Sequence, residues 1–203
     1  MGQVTESPRF QEAVRRFDEA NAQDPNREQV DGVWVAREWI YAKRLNEWVV
    51  ALRPEASEAL RLASRCQHLC RWEMPRAAYP QDRAGYLRWR RDLQQFHARR
   101  AGEILAEVGY DAATIDRVRG FNLKMDLGRD PEMQILEDAL CLVFLQYQLG
   151  ELMVKTDEDK VVNALRKSWK KMSEAGRAAA RRIPFGVREQ GLLQRALTES
   201  SAD

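Results

Sequence analysis

Apolar residues recur at three- and four-residue spacing along nearly the whole chain, and that period predicts one helix after another. Phe10, Val14, Phe17 and Ala20 mark a helix over 9–22, ended by the turn-rich NAQDPN stretch. Trp39, Ala42, Leu45 and Trp48/Val49 mark a second over 35–51, stopped by Pro54. A third, over 55–72, carries Ala59, Leu62, Ala63, Cys66, Leu69 and Cys70. Pro75 and Pro80 stand too close together for a helix, so 75–80 reads as a loop.

The second half repeats the pattern. Leu87, Leu93, Phe96, His97, Ala101, Leu105 and Val108 follow one side of a long helix over 83–108, with Gly109 as its C-cap. Asp111 caps a shorter helix to about 123. Asp130, Pro131 and Glu132 supply an N-cap, a proline at the first helical position and an acid in the first turn. The helix they open is the most apolar in the chain and runs to 149. Thr156 and Asp159 form a capping-box-like start for a helix to 173, and shorter helices follow at 174–181 and 187–199. No stretch alternates at period two for long enough to build a sheet, and there is no internal repeat or low-complexity linker. The expectation is an all-α fold, a single compact multi-helix domain over 1–203.

Charge changes the picture locally. The formal net charge is only +2, too even to mark a nucleic-acid protein by itself. Residues 61–100, however, hold ten arginines and no lysine, against the three acids Glu73, Asp82 and Asp92. Arginine's rigid fork suits bidentate contact with phosphate or carboxylate. Cys66, Cys70 and Cys141 make neither a CxxC pair nor a zinc set, so reduced thiols in a cytoplasmic protein are expected. No apolar run reaches the roughly 18 residues of a membrane span, and MGQVTESPRF lacks a signal peptide's pattern.

The candidate chemistry centres on Arg65–Arg76, RCQHLCRWEMPR, which packs His68 among Arg65, Arg71 and Arg76. Imidazole titrates near neutrality, so proton transfer and metal ligation are its natural uses, against a core histidine satisfied by a carboxylate or the backbone. His97 faces inward on the long helix and can share a pocket with His68. Glu137 and Asp138 interrupt the most apolar helix, where a buried carboxylate must be paired or ligate a metal. Asp138 is the candidate ligand or the group orienting a histidine, and an ion pair to an arginine is its structural alternative. Trp72, Tyr79, Tyr86 and Trp89 surround the 75–85 loop as core packing or as stacking surfaces. Lys167 and Lys171 lie one helical turn apart, as a solvated face or a phosphate clamp.

The segments YAKRLNEWV (41–49), RCQHLCRWEMPRAAYPQDRAGYLRWRRDLQQFHARRAGEIL (65–105), LEDALCLVFL (136–145) and KSWKKMS (167–173) resemble the DUF4202 family over almost the whole chain. More distantly, their order and spacing look like an HD-domain helical core, the scaffold of metal-dependent phosphohydrolases. That pattern runs from a first-helix histidine through a His-Asp pair and two further histidines to a late aspartate. The resemblance places Arg44 at the first position, His68 and Leu69 at the pair, His97 and Lys124 at the next two, and Asp138 at the last. Three of the six types are kept, and two cations stand where ligands would be.

Residues and resemblance together imply a metal-assisted phosphohydrolase-like protein acting on a small nucleotide-like or phosphorylated substrate. His68, His97 and Asp138 would be catalytic and would hold one divalent metal (Mn, Fe, Zn or Ni). Arg44, Arg71, Arg76 and Lys124 would neutralise the phosphate. The same features admit a non-catalytic anion- or nucleotide-sensing or protein-interaction domain, and the arginine block with its aromatics admits an RNA-associated helical protein.

Overall fold

Ser7 opens the first helix: its hydroxyl accepts the Phe10 N–H at 3.1 Å, and α1 runs Pro8–Ala22. The computed structural model describes residues 6–198, so the outer ends of the expected 1–203 domain and of the last helix at 199 lie outside the described residues. Within that range the chain is an all-α, compact multi-helix fold, with one departure near its start.

That departure is a hairpin, β1 (Arg27–Val30) against β2 (Val33–Ala36), paired antiparallel with Arg27 opposite Ala36 and Val30 opposite Val33. It corrects the expectation that no sheet forms. Four-residue strands are too short to show period two, and the signal lies in the turn. Asp31 (φ 49°) and Gly32 (φ 81°) both adopt positive φ, as a two-residue Asp-Gly hairpin turn requires.

The helix after the hairpin, α2 (Arg37–Leu52), starts at Ala36, which has no side chain to cap it. Buried Asp24 substitutes from the preceding loop, its Oδ2 accepting the Glu38 N–H at 3.1 Å. Ser57 caps α3 (Glu58–Cys66). The expected helix to 72 ends instead at Cys66. Cys70 takes a left-handed conformation (φ 54°), and its N–H reaches Asn21 Oδ1 on α1 at 3.3 Å. Two single 3-10 turns, Arg71–Glu73 and Arg76–Ala78, then lead to Asp82, which caps α4 (Arg83–Val108). Gly109 closes α4 at φ 89°. Next come α5 (Ala112–Asn122) and α6 (Pro131–Val143), the latter capped by Asp130 as its sequence dictates.

Beyond α6 the expected helix to 149 is interrupted by a π turn, Phe144–Gln148, before α7 (Leu149–Lys155). Asp157, not Thr156, takes the N-cap position of α8 (Glu158–Lys171). The short α9 (Glu174–Ala180) and α10 (Val187–Thr198) complete the described chain.

Two apolar clusters hold these elements, with α6 contributing to both. Phe17, Leu45, Leu60, Leu105, Phe121 and Leu136 build the first. Leu142, Leu149, Val161, Leu165 and Leu192 build the second. Each such fully buried side chain is worth about 1.5–3 kcal/mol relative to exposure. Cys66, Cys70 and Cys141 are free and buried. No helix of the described residues is long and apolar enough to cross a membrane.

Candidate functional site

Where α3 stops, the chain turns His68 into a cleft of about 1100 Å³ bordered by α2, α4, α6, the π turn and α8. The break in the helix is what makes this possible, because a continuous helix would leave no irregular backbone to fold over the α4 surface. His68 stacks on Tyr41 with ring centroids 3.9 Å apart and planes within 7°. On α2, Glu38 lies one turn before Tyr41, and its Oε2 meets His68 Nδ1 at 3.0 Å. Arg71 Nη1 meets Nε2 of the same ring at 3.3 Å, and its Nε lies 3.8 Å from Glu38 Oε1.

These contacts fix the tautomer. A guanidinium only donates, so Nε2 must accept, which places the proton on Nδ1 and makes the Glu38 carboxylate its acceptor. Burial, then the charges of Arg71 and Arg90, hold the His68 imidazole well below its usual range, so it is neutral at neutral pH. Burial pushes the Glu38 carboxyl up to about 7, against the pull of Arg71, His97 and Arg37. Glu38 therefore ionises across the neutral range, and its ionised form is the one that orients His68.

His97, on α4, faces the same cleft, with its ring centroid 6.0 Å from that of His68. Its Nδ1–H donates to the Leu69 carbonyl at 2.8 Å. Burial and the neighbouring His68 lower its pKa to about 3. Nε2 is buried and has no hydrogen-bond partner among the described residues.

The cleft is strongly cationic: nine lysine and arginine side chains line it against the four carboxylates Glu28, Glu38, Glu137 and Glu151. All four side chains expected to bind substrate lie on this wall. Arg44 pairs with Glu28 at 2.5 Å and covers the Tyr147 ring at 4.0 Å. Arg71 is described above. Arg76 spends two N–H groups on the Tyr79 and Asp82 carbonyls, so it pins its own loop while keeping its charge. Lys124, at a positive φ of 56°, meets Glu137 at 2.5 Å.

Of the three expected catalytic and metal-holding residues, His68 and His97 come together and Asp138 does not join them. Fully buried, Asp138 accepts the backbone N–H of Ser173 at 2.8 Å, the Ser173 hydroxyl, and Gln134 Nε2 at 3.0 Å. It thereby fastens α9 to α6. Glu137, its neighbour, lines the cleft instead, between Lys124 and Lys171 (3.0 Å). Burial would raise the Glu137 carboxyl, but the two ammonium groups outweigh it and hold it low. No group of three or more His, Cys, Asp or Glu among the described residues is placed to hold a metal ion.

Glu38, Arg37 and Tyr147 escaped the sequence reading, though all line the cleft. Glu38 looks like an ordinary first-turn acid, and only its spacing to Tyr41 places it on the buried side. Tyr147 sits in the π turn, a distortion frequent at functional sites that no sequence period announces. Trp72, Tyr86 and Trp89 line the cleft, as do Lys167 and Lys171, whereas Tyr79 instead bonds Asp92 at 3.3 Å. Elsewhere in the arginine block, Arg61, Arg65, Arg91, Arg99 and Arg100 pair with carboxylates outside the cleft.

The sequence profile of the family described as "Domain of unknown function (DUF4202)" matches residues 11–193. Neither the curated proteins nor the solved structures gave a match.

Proposed function

The chain belongs to the DUF4202 family, and we propose that its cleft is the site of a phosphohydrolase-like activity on a small nucleotide-like or otherwise phosphorylated substrate. The observation that carries the proposal is the Glu38–His68–Arg71 line within a wall of nine cations. A carboxylate on Nδ1 leaves Nε2 as the basic atom of a neutral imidazole, which is what a general base needs. The volume exceeds what phosphate alone fills and suits a nucleotide-sized molecule.

In this mechanism the phosphoryl oxygens compete for the Arg71 guanidinium and draw it from His68. Nε2 then takes a proton from water as the water oxygen bonds to phosphorus. The bond from phosphorus to the leaving oxygen breaks with its electron pair on that oxygen, which receives the proton back from His68. Arg71, Arg90 and Lys124 stabilise charge on the non-bridging oxygens, in a site where preformed cations need no reorganisation.

The HD-like scaffold belongs to the same proposal. Arg44, His68, His97 and Lys124 line one cleft in the order of that core. Leu69 is buried where the paired aspartate would stand, and Asp138 is engaged with α9. The donor atoms do not fit a metal shell, so positive charge on the substrate side is assigned to guanidinium and ammonium groups.

A thermal-shift screen of nucleotides, sugar phosphates and inorganic anions, with and without Mn, Fe, Zn or Ni, tests this, because a ligand of the native state raises apparent stability. Stabilising compounds are then assayed for released phosphate. Turnover lost in His68→Ala with binding retained supports hydrolysis. Stabilisation without turnover supports anion sensing, a reading favoured by the occupied Nε2 of His68. No shift from any anion sinks both.

A further inference from the structure

Each ring nitrogen of a neutral histidine has one role, donor or acceptor, and in His97 the two roles are unequally met. Nδ1–H is satisfied by the Leu69 carbonyl. Nε2 is therefore an acceptor, and it lies buried without a donor among the described residues, on a side chain only 4% exposed. Buried polar atoms are nearly always paired, and an unpaired one calls for a partner from outside the chain. His97 lines the cleft, so that partner can come from a ligand.

Resting on the phosphate-cleft reading above, we infer that His97 is a specificity-determining residue that accepts a hydrogen bond from a hydroxyl of the phosphorylated ligand. The cleft would then select phosphorylated polyols, sugars or nucleosides over phosphoesters without hydroxyls. Three observations choose the hydroxyl. The ring is kept neutral by its burial, so Nε2 remains an acceptor across the physiological range. An ammonium donor would have to enter a wall of nine cations. The 6.0 Å between the His97 and His68 rings places the donor close to the phosphoryl group at His68 and Arg71, as on the carbon skeleton of a phosphorylated sugar. The Nδ1–H bond to the Leu69 carbonyl fixes the ring's rotation, so Nε2 keeps one position before ligand arrives.

The test compares glycerol 3-phosphate with n-propyl phosphate, which share a three-carbon phosphoester and differ in two hydroxyls, alongside inorganic phosphate. Calorimetric titration of the wild-type protein should favour glycerol 3-phosphate by about tenfold, the scale of one net hydrogen bond. His97→Phe should remove that preference while inorganic phosphate still binds. His97→Gln, whose amide oxygen can occupy the Nε2 position, should restore part of it. Nitrogen-15 NMR of the wild-type imidazole provides a readout independent of any variant. The Nε2 resonance of His97 should move on adding glycerol 3-phosphate and stay in place with n-propyl phosphate. Equal affinities for the two esters, or a preference that survives His97→Phe, overturns this inference and leaves the phosphate cleft standing. Absence of binding by all three probes overturns both.

Discussion

Arg71 donates from Nη1 to Nε2 of His68 at 3.3 Å, and a donor in that position decides which nitrogen of the ring carries the proton. Glu38 accepts on the opposite side at 3.0 Å, so the imidazole is locked in one tautomer between a fixed anion and a fixed cation. Tyr41 under the ring at 3.9 Å removes its remaining freedom. Local geometry of this kind is costly to maintain without use, and the predictions below follow from it.

Arg71→Ala should weaken binding of inorganic phosphate about tenfold or more. Arg71→Lys should not recover it, because an ammonium cannot contact two oxygens of the anion as the planar guanidinium fork does. Titration calorimetry at fixed ionic strength measures both. A phosphate affinity unchanged in Arg71→Ala would place the anion elsewhere in the cleft.

Glu38→Gln should lower turnover on the order of 10²-fold, within the range for losing an oriented general base, while ligand affinity changes little. In the wild-type protein kcat/KM should rise with pH through about 7, as the Glu38 carboxyl ionises and can accept from His68. The variant should lack that inflection. A profile flat across pH 6–8 in the wild type would remove Glu38 from the mechanism.

Acid should destabilise the fold through the two histidines. Both have pKa values lowered on folding, His97 to about 3 from an ordinary value of 6.5. Between those values the unfolded chain binds more protons, so the stability they contribute is complete above about 6.5 and is lost as pH falls. His97 contributes up to about 1.4 kcal/mol per pH unit in that window. Glu38 acts in the opposite sense, since its pKa is raised on folding from 4.5 to about 7: its contribution is complete below about 4.5 and is lost as pH rises to about 7. Denaturant melts at pH 4, 5, 6 and 7 should show a net loss toward acid that is shallower in His97→Phe.

Asp138→Ala should destabilise the protein by about 1–3 kcal/mol, because it strands the Ser173 donors at the start of α9. Gly176→Ala should act on the same contact, since a Cβ there would lie 2.6 Å from the Asp138 carboxyl carbon. Urea unfolding quantifies both. Phosphate binding by the folded variants should match wild type, whereas a selective loss of binding at full stability would return Asp138 to the cleft.

Apolar spacing and capping residues determine most of the helices by themselves. Asp111 and Asp130 cap where their sequence context says they must, and Gly109 ends α4, because each of these signals acts within one turn of the chain. The hairpin was also legible in its Asp-Gly turn, although not in the alternation of its strands. His97 reaches the cleft because inward helical phase is a property of a single segment, and Arg71 and Arg76 on the same wall belong to the arginine cluster visible in one stretch of sequence. Tertiary structure alone decided the rest. Cys70 leaves helical geometry because Asn21, 49 residues earlier, captures its N–H, and no periodicity within 55–72 could encode that. Glu137 and Asp138 differ by about 100° around one axis, and which of them enters the cleft depends on Lys124, Lys171 and Ser173 arriving from elsewhere. Glu38 becomes the partner of His68 for the same reason: a carboxylate's role is set by what long-range packing brings within 3 Å, and a sequence states only what lies next to it along the chain.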